Sequence, residues 1–502
     1  MKIINTYAYI LFGLILILAA LLRGQEIWSG NFLFLIDQGR DLVEVKKIVF
    51  DHDITLIGPY TSLQGVFQGP LYYYLLAVPL FLLNGNPWGP MFLMFLISMS
   101  VVAVVFFWMR RLFGILIALV ASFLFAVSSE AISAATYIWN PHPMWLLIVI
   151  YILGLYELVL GRLRFHFIVW SILSLMFHFE SALAVFLSIS TCIYLILFSR
   201  KSFVSKSFFL GLGIGFLFFI PQIVFDLKHD FLMTRSVFAV FSGSDQGLFV
   251  TNEQTSYLRL LNSHTNEFLL NFRSAFPIMP YSPQLWILYF IVLLFGIFYI
   301  LKREFYSSRE QVFICVLTGI MSILYLLTFL YPFPIRYWFL TGIQSIYLLI
   351  FALISVKIVS YKLGKVILIF VGILFVMHSL FQIQKNFSSN DYGGTAKLRG
   401  KLDAIEYVYK DAKFDNFGLF IFTPPVHTYA YDYLIWWKGE RAYGFIPHQK
   451  QEGTFYLLME PDPHQPWSYR GWRETVMKTG KPIKTVTLPS GIIIEKHYAE
   501  KD

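Results

Sequence analysis

Three carboxylates are the first candidates for chemistry in this chain. Asp37, Asp41 and Glu44 are spaced four and three residues apart, which places them on one face of a helix. Like charges on one face repel unless cations neutralise them or the protein uses them. A carboxylate beside a hydroxyl can take its proton. Arg40, Lys46 and Lys47 are close enough to make an ordinary salt-bridged surface helix. Position argues for use: the cluster directly follows the first apolar run and precedes a tyrosine-rich apolar stretch. An acidic group at a bilayer interface that faces a protein cavity is a functional candidate. His178 and Glu180 form a second ionisable pair, between two apolar runs. They either cap helix ends or line a cavity, where they could help hold a cation. Trp139-Asn140-Pro141-His142 is a further polar knot, and its Asn140 offers no second carboxylate. Cations occur in Asp226-Leu227-Lys228-His229-Asp230 and at Arg336, within YPFPIRYW.

The elements that must position these residues are set by composition. Of the 502 residues 57% are hydrophobic, 19% aromatic and only 14% charged, against about a quarter charged in soluble domains. The net charge of +9 is spread over short basic clusters between apolar runs, a pattern of topology determinants that points away from nucleic acid as a partner. Cys192 and Cys315 are isolated and read as small buried hydrophobes. A helix needs about 20 apolar residues to cross the hydrocarbon core. Runs near 7–22, 88–109, 112–127, 143–160, 165–177, 181–198, 207–225, 284–301, 311–330, 337–356 and 366–382 make about eleven candidate spans. The first reads as an uncleaved helix. With Lys2 inside, Arg110-Arg111, Arg162 and Arg164, Arg200, Lys201 and Lys206, Lys302, Arg303 and Arg309, and Lys357, Lys362 and Lys365 all fall on the same side. Leu71–Leu83 is too short to span and contains Pro79, so it reads as an interfacial or re-entrant helix. The expected fold is an all-α polytopic membrane domain over 1–382, with outer loops at 23–87 and 226–283. A small α/β domain over 383–502 follows on the outer face. Its strands are expected at 417–422 and 455–460, and its helices around His427–Trp437 and Trp467–Met477.

Asp37-Gln38-Gly39-Arg40 after the first span, followed by Gln68-Gly69-Pro70-Leu71-Tyr72-Tyr73-Tyr74, resembles the first outer loop of the GT-C glycosyltransferases. Within them it is most similar to the protein O-mannosyltransferase and aminoarabinose-transferase-like branch (glycosyltransferase family 39). In that branch an Asp-Glu pair opens the loop, and a lysine or other polar residue precedes Pro-Pro-Leu-Tyr-Tyr-Trp. The resemblance covers roughly 1–385. It implies transfer of a hexosyl or pentosyl group from a polyprenyl-phosphate-linked donor to a lipid, glycan or protein acceptor. The setting it implies is the outer face of a bacterial-type cell (inner) membrane, with a cytoplasmic N-terminus. Asp37 matches the family's catalytic or acceptor-positioning aspartate, with Asp41 in support. His178, Glu180, Asn140 and Tyr72 would line the acceptor cavity. Gln38 replaces the usual Glu, which weakens any shared site for a divalent ion. Such an ion, if used, would draw on Asp37, Glu180 and His178. Gln68 stands near the position where relatives with a lysine contact the lipid phosphate. That contact would then fall to Arg336, Lys228 and His229, since a guanidinium grips phosphate through two hydrogen bonds. Interfacial snorkelling is the alternative for these cations.

A transporter or flippase of a lipid-linked substrate is the rival function, and a display scaffold a third. A transporter places polar groups at the bilayer midplane and shows broken spans in matching halves. Here the polar residues concentrate on one side, and mid-span charges are scarce.

Overall fold

The computed structural model describes residues 2–242, 257–277, 308–359, 361–388 and 393–500. Helix α1 (Lys2–Ser29) leads into a first loop that carries α2 (Ile36–Phe50) and α3 (Leu71–Leu82). Then come α4 (Trp88–Phe113), α5 (Ile115–Val127), the short α6 (Ser129–Ser133), α7 (Met144–Val159), α8 (His166–Met176), α9 (Ser181–Phe198), α10 (Lys206–Lys228) and α11 (Leu232–Ser242). After them follow α12 (Tyr257–Ser274), α13 (Ser308–Thr328), α14 (Gln344–Ile358) and α15 (Lys362–Ser388). In lipid every backbone polar group must be satisfied within the chain, which is why these apolar runs are helical.

Among the described residues, six helices are long and apolar enough to cross a membrane: those within α1, α4, α9, α10, α13 and α15. α5, α7, α8 and α14 are shorter apolar helices at four more of the expected span positions. The chain is an integral membrane protein. The span expected at 284–301 lies outside the described residues, as do Lys302, Arg303 and parts of the second loop. α14 is buried on every side from Gln344 to Ser355, as a helix at the centre of a bundle must be.

The two ends of the bundle differ in chemistry. At one end Arg111 and Arg162 pair with the buried Glu157, Lys357 pairs with Glu310, and Arg110 reaches the Tyr9 hydroxyl. The first loop, the 177–180 turn, α12 and the segment before α14 meet at the other end.

That second end also carries the C-terminal domain. α16 (Leu398–Asp411) and α17 (Tyr429–Leu434) pack with a four-stranded sheet of order β1-β2-β4-β3. β1 (Gly418–Phe422) runs parallel to β2 (Gly453–Met459), and the other pairings are antiparallel. Both expected strands are present. β3 (Lys484–Thr487) and β4 (Ile493–Ala499) were not foreseen: β3 is short and mostly exposed, and β4 places Glu495 and His497 inside, which blurs its alternation. α15 runs on to Ser388, past the expected end of the membrane domain at 382.

Candidate active site

α2 begins on a clasp. The Gln38 Oε1 accepts from Leu35 N at 2.8 Å, and its Nε2 donates to Ile138 O at 2.9 Å. The glutamine that replaces the expected Glu is therefore buried scaffold, tying α2 to the 128–143 connection. Asp37 is half-exposed and pairs with Arg40 at 3.1 Å. Arg40 also donates to Asp41 at 2.8 Å and 3.0 Å. Asp41 is fully buried, and burial pushes its carboxyl up to about 6 against the pull of Arg40. The Tyr73 hydroxyl donates to it over a long 3.4 Å. Asp41 Oδ2 and the Tyr72 hydroxyl are buried with no hydrogen-bond partner among the described residues. Glu44 turns aside to Lys47 at 2.7 Å. The acidic trio thus divides: two carboxylates share one guanidinium, and the third makes a surface ion pair.

The facing wall comes from the segment before α14. α12 holds that segment: His264 Nε2 meets Phe333 O at 2.9 Å and Asn271 Nδ2 donates to Leu340 O at 2.9 Å. Arg336 sits there partly buried, in electrostatic contact with Glu267 of α12. Burial raises the Glu267 carboxyl, and Arg336 draws it back. Tyr337 lies within electrostatic reach of Glu130, Asp37 and Glu267, and Tyr137 within reach of Tyr337, Glu130 and Asp37. The Trp139 ring lies 5.8 Å from Tyr137 and 6.3 Å from both Tyr337 and Trp338. Asp37, Glu130 and Glu267 therefore lie within electrostatic reach of Tyr337, the neighbour of Arg336.

The remaining expected residues build a joint between the first loop and the 177–181 turn. Gln68 Oε1 accepts from Ser181 N at 2.9 Å, which caps the start of α9. His178 Nδ1 accepts from Leu71 N at 3.3 Å, and burial lowers this imidazole to about 4, so the ring is neutral and can accept. Asn140 Nδ2 donates to Phe179 O at 2.6 Å. Tyr72 packs its ring edge on Phe179, 6.3 Å away. Glu180 is buried in the same turn, which raises its carboxyl to about 8. Asn140, His178, Glu180 and Tyr72, expected to line the acceptor cavity, are all buried. Among the described residues no three His, Cys, Asp or Glu side chains gather as a metal set. Asp37, His178 and Glu180 do not converge, and no step is routed through a metal. Lys228 and His229 also stay apart from α2, exposed at the end of α10, with His229 stacked on Phe225 at 4.0 Å. Their neighbour Asp226 is buried and caps the start of α11, accepting from Met233 N at 2.7 Å.

No protein family and no curated protein matches the sequence. Solved structures do. ArnT from Cupriavidus metallidurans, in the apo state and bound to undecaprenyl phosphate, superposes with a TM-score of 0.59 over 98% of both chains at 9% identity. The chain has the fold of ArnT, as its resemblance to the GT-C glycosyltransferases implied. An Archaeoglobus fulgidus oligosaccharyltransferase, tethered to an acceptor peptide with an NVT sequon, matches at a TM-score of 0.54 and 11% identity, over 99% of this chain and 74% of that one. Sequence reasoning passed over Glu130, Tyr137 and Glu267, which lie within electrostatic reach of Tyr337. Glu130 left a faint signal, a lone acid in a short connection between apolar runs, just after the Ser128 cap. Burial raises its carboxyl. Glu267 left none, because nothing in sequence ties α12 to Arg336.

Proposed function

We propose that the chain transfers a sugar from a polyprenyl-phosphate-linked donor to a hydroxyl acceptor, with inversion, in the hollow between Asp37 and Arg336. One observation carries this: Asp37 and Tyr337, which adjoins Arg336, are within electrostatic reach of each other at the end of the bundle away from the basic clusters. By the basic-inside bias that end faces the non-cytoplasmic side. The ArnT structure with undecaprenyl phosphate adds that a lipid phosphate is a ligand of this fold.

The acceptor oxygen forms a bond to the anomeric carbon as the bond from that carbon to the phosphate oxygen breaks. The bonding pair leaves on the phosphate, and the acceptor's proton passes to Asp37. A phosphate is a weak base and leaves without a proton, so no general acid is needed. Arg40, bridging Asp37 and Asp41, keeps Asp37 aimed. Arg336 stabilises the departing phosphate, and Glu267 orients it. Trp139 and Tyr337 offer ring faces to the sugar. The test is Asp37→Asn in full-length protein reconstituted with polyprenyl-phosphate-linked sugar. Transfer should fall by about 10²-fold or more, while polyprenyl phosphate still co-purifies. Near-normal turnover would remove Asp37 from the mechanism.

A further inference from the structure

α2 presents two opposite faces. At about 100° of rotation per residue, Asp37, Arg40, Asp41 and Glu44 share one side, and Gly39, Val43, Lys46 and Phe50 the other. The first side looks toward Tyr73 and Tyr337. The second is covered by the C-terminal domain. A Cβ on Gly39 would stand 2.3 Å from Ala430 N, so the α17 backbone lies directly against the helix. The Lys46 ammonium sits 5.6 Å over the Trp436 ring, and the Phe50 ring lies 5.0 Å from the same indole. Arg441 covers Phe50 at 4.5 Å.

Behind this contact α17 is braced. Tyr431, next to Ala430, is fully buried and donates its hydroxyl to Glu460 at 2.6 Å. Glu460 in turn pairs with the buried Lys401 of α16. A buried ion pair adds little stability but permits few geometries. The start of α16 is tied to the segment before α2: Phe34 N donates to Ala396 O at 2.9 Å and Leu398 N to Phe32 O at 2.9 Å. The domain therefore grips α2 at its entry and along its rear face.

We propose that the C-terminal domain is the positioning element of the site. It fixes the rotation of α2 so that Asp37 and Arg40 face Tyr337. Gly39 and the Lys401–Glu460–Tyr431 cluster are its positioning residues. Only the kinetic half of the following test rests on the transferase assignment.

Full-length Gly39→Val and Lys401→Met proteins in nanodiscs are compared with wild type. Amide hydrogen exchange over residues 36–44 should rise about tenfold or more, because local opening becomes cheaper, while α4 and α5 keep wild-type protection. Per molecule that binds polyprenyl phosphate, kcat should fall about tenfold or more with donor KM little changed, since ångström-scale misplacement costs rate more than binding. Lys401→Arg, which keeps the charge, should recover much of the kcat that Lys401→Met loses. Unchanged exchange over 36–44 in both variants overturns the grip. Raised exchange with unchanged kcat overturns the positioning role. Raised exchange in a protein whose wild type transfers no sugar leaves the grip standing and sinks the transferase assignment instead. If Gly39→Val fails to fold, Lys401→Met carries both measurements.

Discussion

Arg40 divides one positive charge between two carboxylates of very different exposure. In Asp41→Asn the guanidinium loses its buried partner and falls wholly to Asp37. That tighter pairing would draw the Asp37 side chain toward Arg40 and away from an acceptor hydroxyl, so kcat should drop by about tenfold, seen as lost turnover with donor binding intact. Tyr73→Phe should change little, because its 3.4 Å contact is long for a hydroxyl donor. Glu180 gives the clearest pH signature. Burial raises its carboxyl from 4.5 to about 8, so between those values the folded chain holds a proton that the unfolded chain has lost. Its contribution is complete below 4.5 and is lost as the pH rises toward 8. Apparent Tm in detergent should fall over that window in wild type and fall less in Glu180→Gln. Asp37 and Arg336 could be singled out in sequence because charges beside apolar runs are few and each must be accounted for. The partners that His178, Asn140 and Gln68 take around the 177–181 turn were not legible, because sequence gives a residue's depth in the membrane, not whether it points into a turn or a hollow.

Among the elements, the turn between α8 and α9 acts as a joint on which the first loop rests. A Cβ on Gly69 would stand 1.9 Å from His178 Nδ1, so this glycine exists to let the loop pass under the imidazole. Gly69→Ala should cost about 1–3 kcal/mol through overpacking, read as a lower apparent Tm. Gln68→Ala uncaps Ser181 N and should cost about 1 kcal/mol. If Gln68 instead held the lipid phosphate, its loss would weaken donor binding and leave Tm unchanged. The period and length of the helices made the spans and the brief α3 readable. β3 and β4 were not, because a four-residue exposed strand has no pattern to read, and buried Glu495 is paid for by Arg473, 2.9 Å away and 22 residues distant in sequence.

For the whole molecule, basic clusters at one end and the polar hollow at the other predict sidedness. In a background lacking Cys192 and Cys315, a cysteine at Lys481 should react with a membrane-impermeant maleimide in intact cells, and one at Lys201 only after permeabilisation. The reverse pattern would place the hollow in the cytoplasm. This layout was legible because Lys and Arg bias is a property of the whole chain. What the C-terminal domain rests on was not: the contact of Gly39 with Ala430 joins residues far apart in sequence and leaves no local mark in either segment.

Arg23 carries a consequence for how the chain is made. Near the end of α1 its guanidinium is buried and donates to Ser98 Oγ at 2.9 Å, Phe125 O at 2.8 Å and Ala126 O at 2.7 Å. None of those partners exists when α1 leaves the ribosome. We predict that the newborn helix stays beside the insertion machinery, with only Ala19 O of its own turn in reach of the cation, until roughly a hundred further residues deliver the α4–α5 hairpin. Arg23→Leu should release α1 into lipid early, and site-specific photo-crosslinks from α1 to the insertion channel should vanish at shorter nascent-chain lengths.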